Sequence, residues 1–146
     1  MAKSSQNNPV LEMHFELELL PGLSSQDQTL LASSGIKSTL ELLQRGESLS
    51  QRQALAAQLQ VHIQYVNKWV AMADLSRIPS VGYTYCGLLL HSGIASTAQL
   101  ARMSVQTLQQ QVKRFVVSVL QQPKQCPDAA QMAQWIQEAQ YLISRG

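Results

Sequence analysis

Charge is what this sequence has least of. Only 14% of its residues are Asp, Glu, Lys or Arg, against about a quarter in an ordinary soluble domain. Glutamine fills the gap in segments such as Gln106 to Gln111 and Gln131 to Gln140. A protein that lives off phosphate contacts usually displays its Lys and Arg openly, so the scarcity argues against a strongly electrostatic nucleic-acid binder. The net charge of +2 permits a polyanionic partner without requiring one. Cysteine is also scarce. Cys86 and Cys126 are too few for a disulfide framework and lack the short spacing of a metal or redox motif, so a reduced, cytoplasmic protein is expected. No apolar run approaches the roughly 20 residues that span a bilayer. The opening residues Met1 to Pro9 are polar rather than signal-like, and no membrane partner is expected.

Catalytic signatures are missing as well. There is no nucleophile elbow, phosphate loop or metal-ligand cluster. His14, His62 and His91 lie far apart, with no pair at the four-residue helical spacing that builds a metal site. A non-enzymatic chain without metal or cofactor is the expectation.

What the sequence does contain is a series of short helical patterns. Its 146 residues, 45% of them hydrophobic, suit one cooperative unit. Residues 1–13 read as a flexible tail. Phe15-Glu16-Leu17-Glu18-Leu19 alternates like a strand yet runs into helical pattern, and a short helix is expected there. Ser38-Thr39-Leu40-Glu41 has the form of a capping box, and Gly46 is placed to end that helix in a left-handed conformation. Two helices fit Gln51 to Leu59 and His62 to Ala73. Ser104 can cap a helix through Leu120 whose face of Leu108, Val112, Phe115, Val116 and Val119 is core rather than membrane contact. Pro123 and Pro127 mark a connector, and Asp128 can cap a last helix carrying Met132, Trp135, Ile136, Ala139, Leu142 and Ile143. Cys86 is expected to be buried and Cys126 to be the more exposed thiol. His91 is expected to favour a helix C-terminus.

Sliding the chain against itself by 58 residues lays Pro21 on Pro79. Leu17 then meets Leu75, Leu20 meets Ile78, Leu30-Leu31 meets Leu88-Leu89, Gly35-Ile36 meets Gly93-Ile94, Ser38-Thr39 meets Ser96-Thr97, and Leu42 meets Leu100. Each copy has an apolar lead-in, a Pro turn, a helix, a Gly stop, an Ile and a Ser-Thr cap. This grammar resembles the helix-hairpin-helix superfamily, in which a Pro-Gly-hydrophobic-Gly hairpin precedes a helix and a Gly-Ile-x-Thr segment. The hairpins here read Pro21-Gly22-Leu23-Ser24 and Pro79-Ser80-Val81-Gly82, each keeping one of the two glycines. The stretch Trp69 to Ile78 looks more particularly like a bacterial domain family of unknown function within that superfamily. The resemblance covers roughly residues 14–120. It implies an all-α fold with two helix-hairpin-helix-like repeats, over 14–74 and 75–122, in one compact helical domain, followed by a connector and C-terminal helix over 123–146.

In members that bind nucleic acid, the resemblance implies that amides of the hairpin and the following helix start contact phosphate. Such contacts are indifferent to sequence and sensitive to salt. Glu16, Glu18 and Asp27 around the first hairpin would repel phosphate. The second is friendlier, and the expected site comprises Arg77, Pro79, Val81, Gly82 and Tyr83, with Lys113 and Arg114 in support and a DNA or RNA backbone as partner. The rival reading keeps both hairpins as mere turns. On that view the chain is an adaptor for a protein partner, with Tyr65, Tyr83, Tyr85, Trp135 and Tyr141 as candidate contacts, although Trp69 and Trp135 also fit a core.

Overall fold

The computed structural model describes residues 11–120 and 126–145. Residues 1–10 of the expected tail, Pro123 of the connector and the side chain of Val119 lie outside the described residues. The fold is all-α. Its helices are α1 (Ser25–Ser33), α2 (Thr39–Arg45), α3 (Leu49–Leu59), α4 (Ile63–Ser76), α5 (Gly82–His91), α6 (Thr97–Ala101), α7 (Val105–Phe115) and α8 (Ala129–Arg145). A 3-10 turn covers Leu17–Leu19 and a π-helical turn continues α7 over Val116–Leu120. The alternating stretch before it is divided: Glu16 pairs with Ser38 as an isolated antiparallel bridge, and the turn follows with Leu17 buried.

Small polar side chains set most helix starts. Ser38 Oγ accepts the Glu41 N–H at 3.1 Å, Ser104 Oγ the Thr107 N–H at 3.1 Å, and Asp128 Oδ1 the Gln131 N–H at 2.8 Å. Glu41 does reach back, but to the Lys37 N–H at 2.9 Å, one residue beyond its position in a capping box. Ser48 and His62 cap α3 and α4 in the same way. Between those two helices the chain reverses at Gln60, which takes the left-handed conformation with φ of 59°.

Gly46 ends α2, but its φ of −124° is not left-handed. The reason for glycine there is packing. A Cβ at Gly46 would lie 2.6 Å from Val70 Cγ2 of α4, so the missing side chain is what lets the end of α2 sit against α4.

The 58-residue correspondence reappears in the hydrogen bonds. Ile36 N–H donates to Leu31 O at 2.9 Å and Ile94 N–H to Leu89 O at 3.0 Å, closing α1 and α5 alike. Lys37 N–H meets Glu41 Oε1 as Ala95 N–H meets Gln99 Oε1, both at 2.9 Å. Leu31 and Leu89, Ile36 and Ile94, Thr39 and Thr97, and Leu42 and Leu100 are all fully buried.

Helix α4 is the spine of the molecule, packing on α2, α3 and α5, while α8 lies across α6 and α7 and α5 touches α7. The buried side chains form one continuous cluster with Trp69 of α4 and Trp135 of α8 as its largest members. Burying such rings dominates the energetics of a core this size.

Two substitutions at helix ends test these local accounts. Gly46→Ala forces the α2–α4 contact apart and is expected to cost about 1–3 kcal/mol, as overpacking does. Gln60→Gly relieves a left-handed strain and is expected to gain about 0.5–1 kcal/mol. Urea unfolding followed by far-UV circular dichroism measures both, and a neutral Gly46→Ala would remove the packing explanation.

Candidate functional site

The second hairpin, where the sequence places a phosphate contact, has its polar groups engaged inside the protein. Pro79 has no N–H to offer. Val81 and Gly82 N–H both donate to Ile78 O, at 3.0 and 2.9 Å. The remaining amide, Ser80 N–H, donates to Glu138 Oε1 at 2.8 Å, and Ser80 Oγ donates to Glu138 Oε2 at 2.7 Å. Trp135 Nε1 closes the contact from α8 by donating to Ser80 O at 3.1 Å. A carboxylate of the chain itself therefore occupies the Ser80 donors, while at the start of α5 the Tyr83 and Thr84 N–H groups have no acceptor among the described residues. Val81 is buried, Gly82 has a φ of 51°, and Tyr83 is exposed with its ring edge-on to Phe15 at 5.1 Å.

Arg77 is engaged too. Its Nε donates to Asp74 Oδ1 at 2.8 Å, and its Nη1 meets Glu12 Oε1. Burial alone would lower the guanidinium pKa, but the hydrogen bonds and attraction of Asp74, then of Glu12, more than reverse that and hold it above its ordinary value. Met13 N–H donates to Arg77 O at 2.9 Å, so the segment from Glu12 onward is strapped to the second hairpin. His14 Nε2 lies 3.2 Å from Glu12 Oε2. At Glu12 the balance has the opposite outcome: burial pushes the carboxyl up, while Arg77 and, less, His14 hold it below its ordinary 4.5.

Lys113 and Arg114 are exposed on α7 with no carboxylate partner among the described residues. The structure thus brings Arg77 and the hairpin residues together, but binds the Arg77 charge and the Ser80, Val81 and Gly82 donors internally and leaves the Tyr83 N–H without an acceptor among the described residues. It leaves the two α7 cations free on a separate helix.

The first hairpin is the open one. Pro21 and Gly22 are exposed, Gly22 has a φ of 84°, and among the described residues neither Gly22 nor Leu23 uses its N–H in a hydrogen bond. A Cβ at Gly22 would lie 3.9 Å from Lys68 Cε. Glu18, just upstream, is held above its ordinary value by its hydrogen bond with Glu16 and by that residue's negative charge.

A cleft of about 820 Å³ lies beside α2 and α4, a volume within the usual range for ligand sites of roughly 300–1,000 Å³. Leu40, Leu43, Val70 and Ala71 give it apolar walls, and Glu12, His14, Glu47, Arg52, Asn67, Asp74 and Arg77 give it polar ones. Arg52 Nε donates to Asn67 Oδ1 at 2.8 Å and its Nη1 to Gly46 O at 2.9 Å. No motif in the sequence marks this site. Its members come from four separate segments, and a pairing such as Arg52 with Asn67 has no motif. Glu138 did leave a trace, as the single carboxylate in a Gln-rich helix.

Tyr65 is exposed, whereas Trp135 is core and Tyr85 is half-buried against it, with ring centroids 5.1 Å apart. Burial pushes the Cys86 thiol up to about 11, as befits an inert core cysteine. Cys126 is half-buried and packs against the core, so it is less exposed than the connector position suggested. His91, in the last turn of α5, stacks on Phe115 at 5.7 Å.

Residues 21–142 match a protein family described as a domain of unknown function, DUF4332. No curated protein and no solved structure matches the chain.

The strap gives the site a pH signature. Because Glu12 has a folded-state pKa below its ordinary 4.5, its contribution to stability is present above that value and is lost as pH falls through the lowered one. Glu12→Gln is expected to flatten the fall in the urea midpoint between neutral and acid pH relative to wild type. An identical fall in both proteins would show that the Glu12–Arg77 pair contributes nothing.

Proposed function

The chain belongs to the DUF4332 domain family, and from that premise we propose that it is a non-catalytic interaction module: a scaffold of two helix-hairpin-helix-like units that holds a partner protein in the cleft beside α2 and α4. The left-handed glycines Gly35 and Gly93, which correspond in the 58-residue register, and the repeated closing bonds after α1 and α5 support the tandem reading. The observation that carries the interaction role is the cleft itself, open, ligand-sized and walled by both apolar and charged side chains. The second hairpin fits a structural part in this reading, since Glu138 takes both Ser80 donors, Ile78 O takes the Val81 and Gly82 amides, and Asp74 and Glu12 neutralise Arg77.

A second reading rests on the first hairpin, whose exposed Pro21-Gly22 turn has unbonded amides and Lys68 alongside. There a DNA or RNA phosphate would meet backbone N–H groups and one cation. The two carboxylates of Glu16 and Glu18 nearby in the chain oppose it.

Two measurements separate the readings. A photo-crosslinking residue at Leu40, 40% exposed on the cleft wall, is expected to capture a discrete protein partner in cells, and one at Ile143, 41% exposed on α8, is not. The same capture from both positions would remove the cleft. Fluorescence anisotropy with single- and double-stranded oligonucleotides is expected to show no binding at near-physiological salt. Binding that falls steeply with salt and is abolished by Lys68→Glu would install the first hairpin in its place.

A further inference from the structure

The cleft contains two arginines in opposite electrostatic situations. Arg77 faces two carboxylates. Arg52 is held just as firmly, by Asn67 Oδ1 at 2.8 Å, Gly46 O at 2.9 Å and Glu47 O at 3.5 Å, yet every one of these acceptors is an amide oxygen. Among the described residues no carboxylate lies within ion-pair distance of Arg52, and its Nη2 donates to nothing. A guanidinium fixed in one orientation with Nη2 unused can donate from that nitrogen to an anion, and the ordering cost of its long side chain has already been met on folding. Beside it stand Leu40, Leu43, Val70 and Ala71, which offer an aliphatic wall.

We propose that the cleft recognises the C-terminal carboxylate of a partner protein chain, with Arg52 as the carboxylate-binding residue and the aliphatic wall receiving the last side chains. This rests on the reading of the cleft as the docking site, and adds to it the chemistry of what docks. Local complementarity selects the occupant: Arg52 is a cation without a carboxylate partner, although Glu12, Asp74 and Glu47 outnumber the two arginines over the whole lining, and the apolar wall next to it suits an anion that carries aliphatic side chains. Glu47 stands exposed on the rim and lowers the affinity for any anion, so its removal has a readable sign.

The probe is the tripeptide acetyl-Ala-Leu-Leu with a free carboxylate, titrated into the isotopically labelled full chain and followed by backbone amide NMR shifts, with the same peptide as its C-terminal amide for comparison. The free acid is expected to shift the amides of Gly46, Glu47, Arg52 and Asn67 and to bind at least tenfold tighter than the amide. Added salt weakens it, Arg52→Gln abolishes the difference between acid and amide, and Glu47→Gln tightens the acid several-fold. Since Arg52 also braces the α2–α3 junction, Leu40→Glu serves as a second variant. It places a negative charge on the wall without touching the Arg52 bonds, and is expected to weaken the acid more than the amide. Equal affinity of acid and amide, or shifts centred on Pro21–Leu23 or on Lys113–Ser118, overturns the proposal. Acetyl-leucine binding as tightly as the tripeptide also overturns it, in favour of a free small acid. If neither peptide binds while the crosslinker at Leu40 still captures a partner, the docking site stands and the carboxylate inference falls; if Leu40 captures nothing, both fall.

Discussion

Asp74 is the residue on which the arrangement of this molecule turns. It sits near the end of α4, with one carboxylate oxygen on Arg77 Nε and the other on the Thr97 N–H at 2.7 Å. Its backbone carbonyl accepts from Thr97 Oγ1 at 2.9 Å. One side chain thereby fixes the direction in which the chain leaves α4, the orientation of the arginine that receives the N-terminal strap, and the start of α6. Thr97 is fully buried, and a buried hydroxyl or amide left without a partner costs about 1–3 kcal/mol. Asp74 is therefore required by its surroundings as much as it organises them.

The corresponding place in the first half of the chain solves the same problem with different atoms. Thr39, equivalent to Thr97, is also fully buried. Its N–H donates to Phe15 O at 2.8 Å, and its Oγ1 accepts the Phe15 N–H at 2.9 Å. Extended backbone supplies in one half what a carboxylate and a helix end supply in the other. The demand is common because both threonines follow a serine cap inside the core. The supply differs because residues 11–16 carry no helix and Ile63–Ser76 do. This asymmetry goes with one chain segment strapping the second hairpin while, among the described residues, no equivalent backbone bond reaches Pro21–Leu23.

Much of the fold was legible because helix ends are local. Ser38, Ser104 and Asp128 each announce a start through a side chain that reaches three residues along, and the Gly-Ile pairs announce two stops. The end of α3 was not legible as a left-handed reversal, because Gln60 occupies a conformation that usually advertises itself through glycine. The site was less visible still. Arg77 was expected as a phosphate contact, and its partner Asp74, three residues earlier, was within reach of helical spacing, but Glu12, which also pairs with it, lies 65 residues away in sequence, and Glu138 lies 58 residues from Ser80. Spacing rules do not reach that far. A cation's value to a ligand depends on what already touches it, which is a property of the assembled fold.

The contact between Glu138 and Ser80 bears on how the chain assembles in time. The bonds that close α1 and α5 join residues five apart and can form as soon as each helix does. Those from α8 to the hairpin span 55 and 58 residues, and closing loops of that length carries an entropic toll that must be met before any contact rewards it. During synthesis the hairpin is made well before its carboxylate. For that interval the Ser80 amide and hydroxyl are left to solvent, and the arrival of α8 withdraws them into a half-buried contact with a carboxylate.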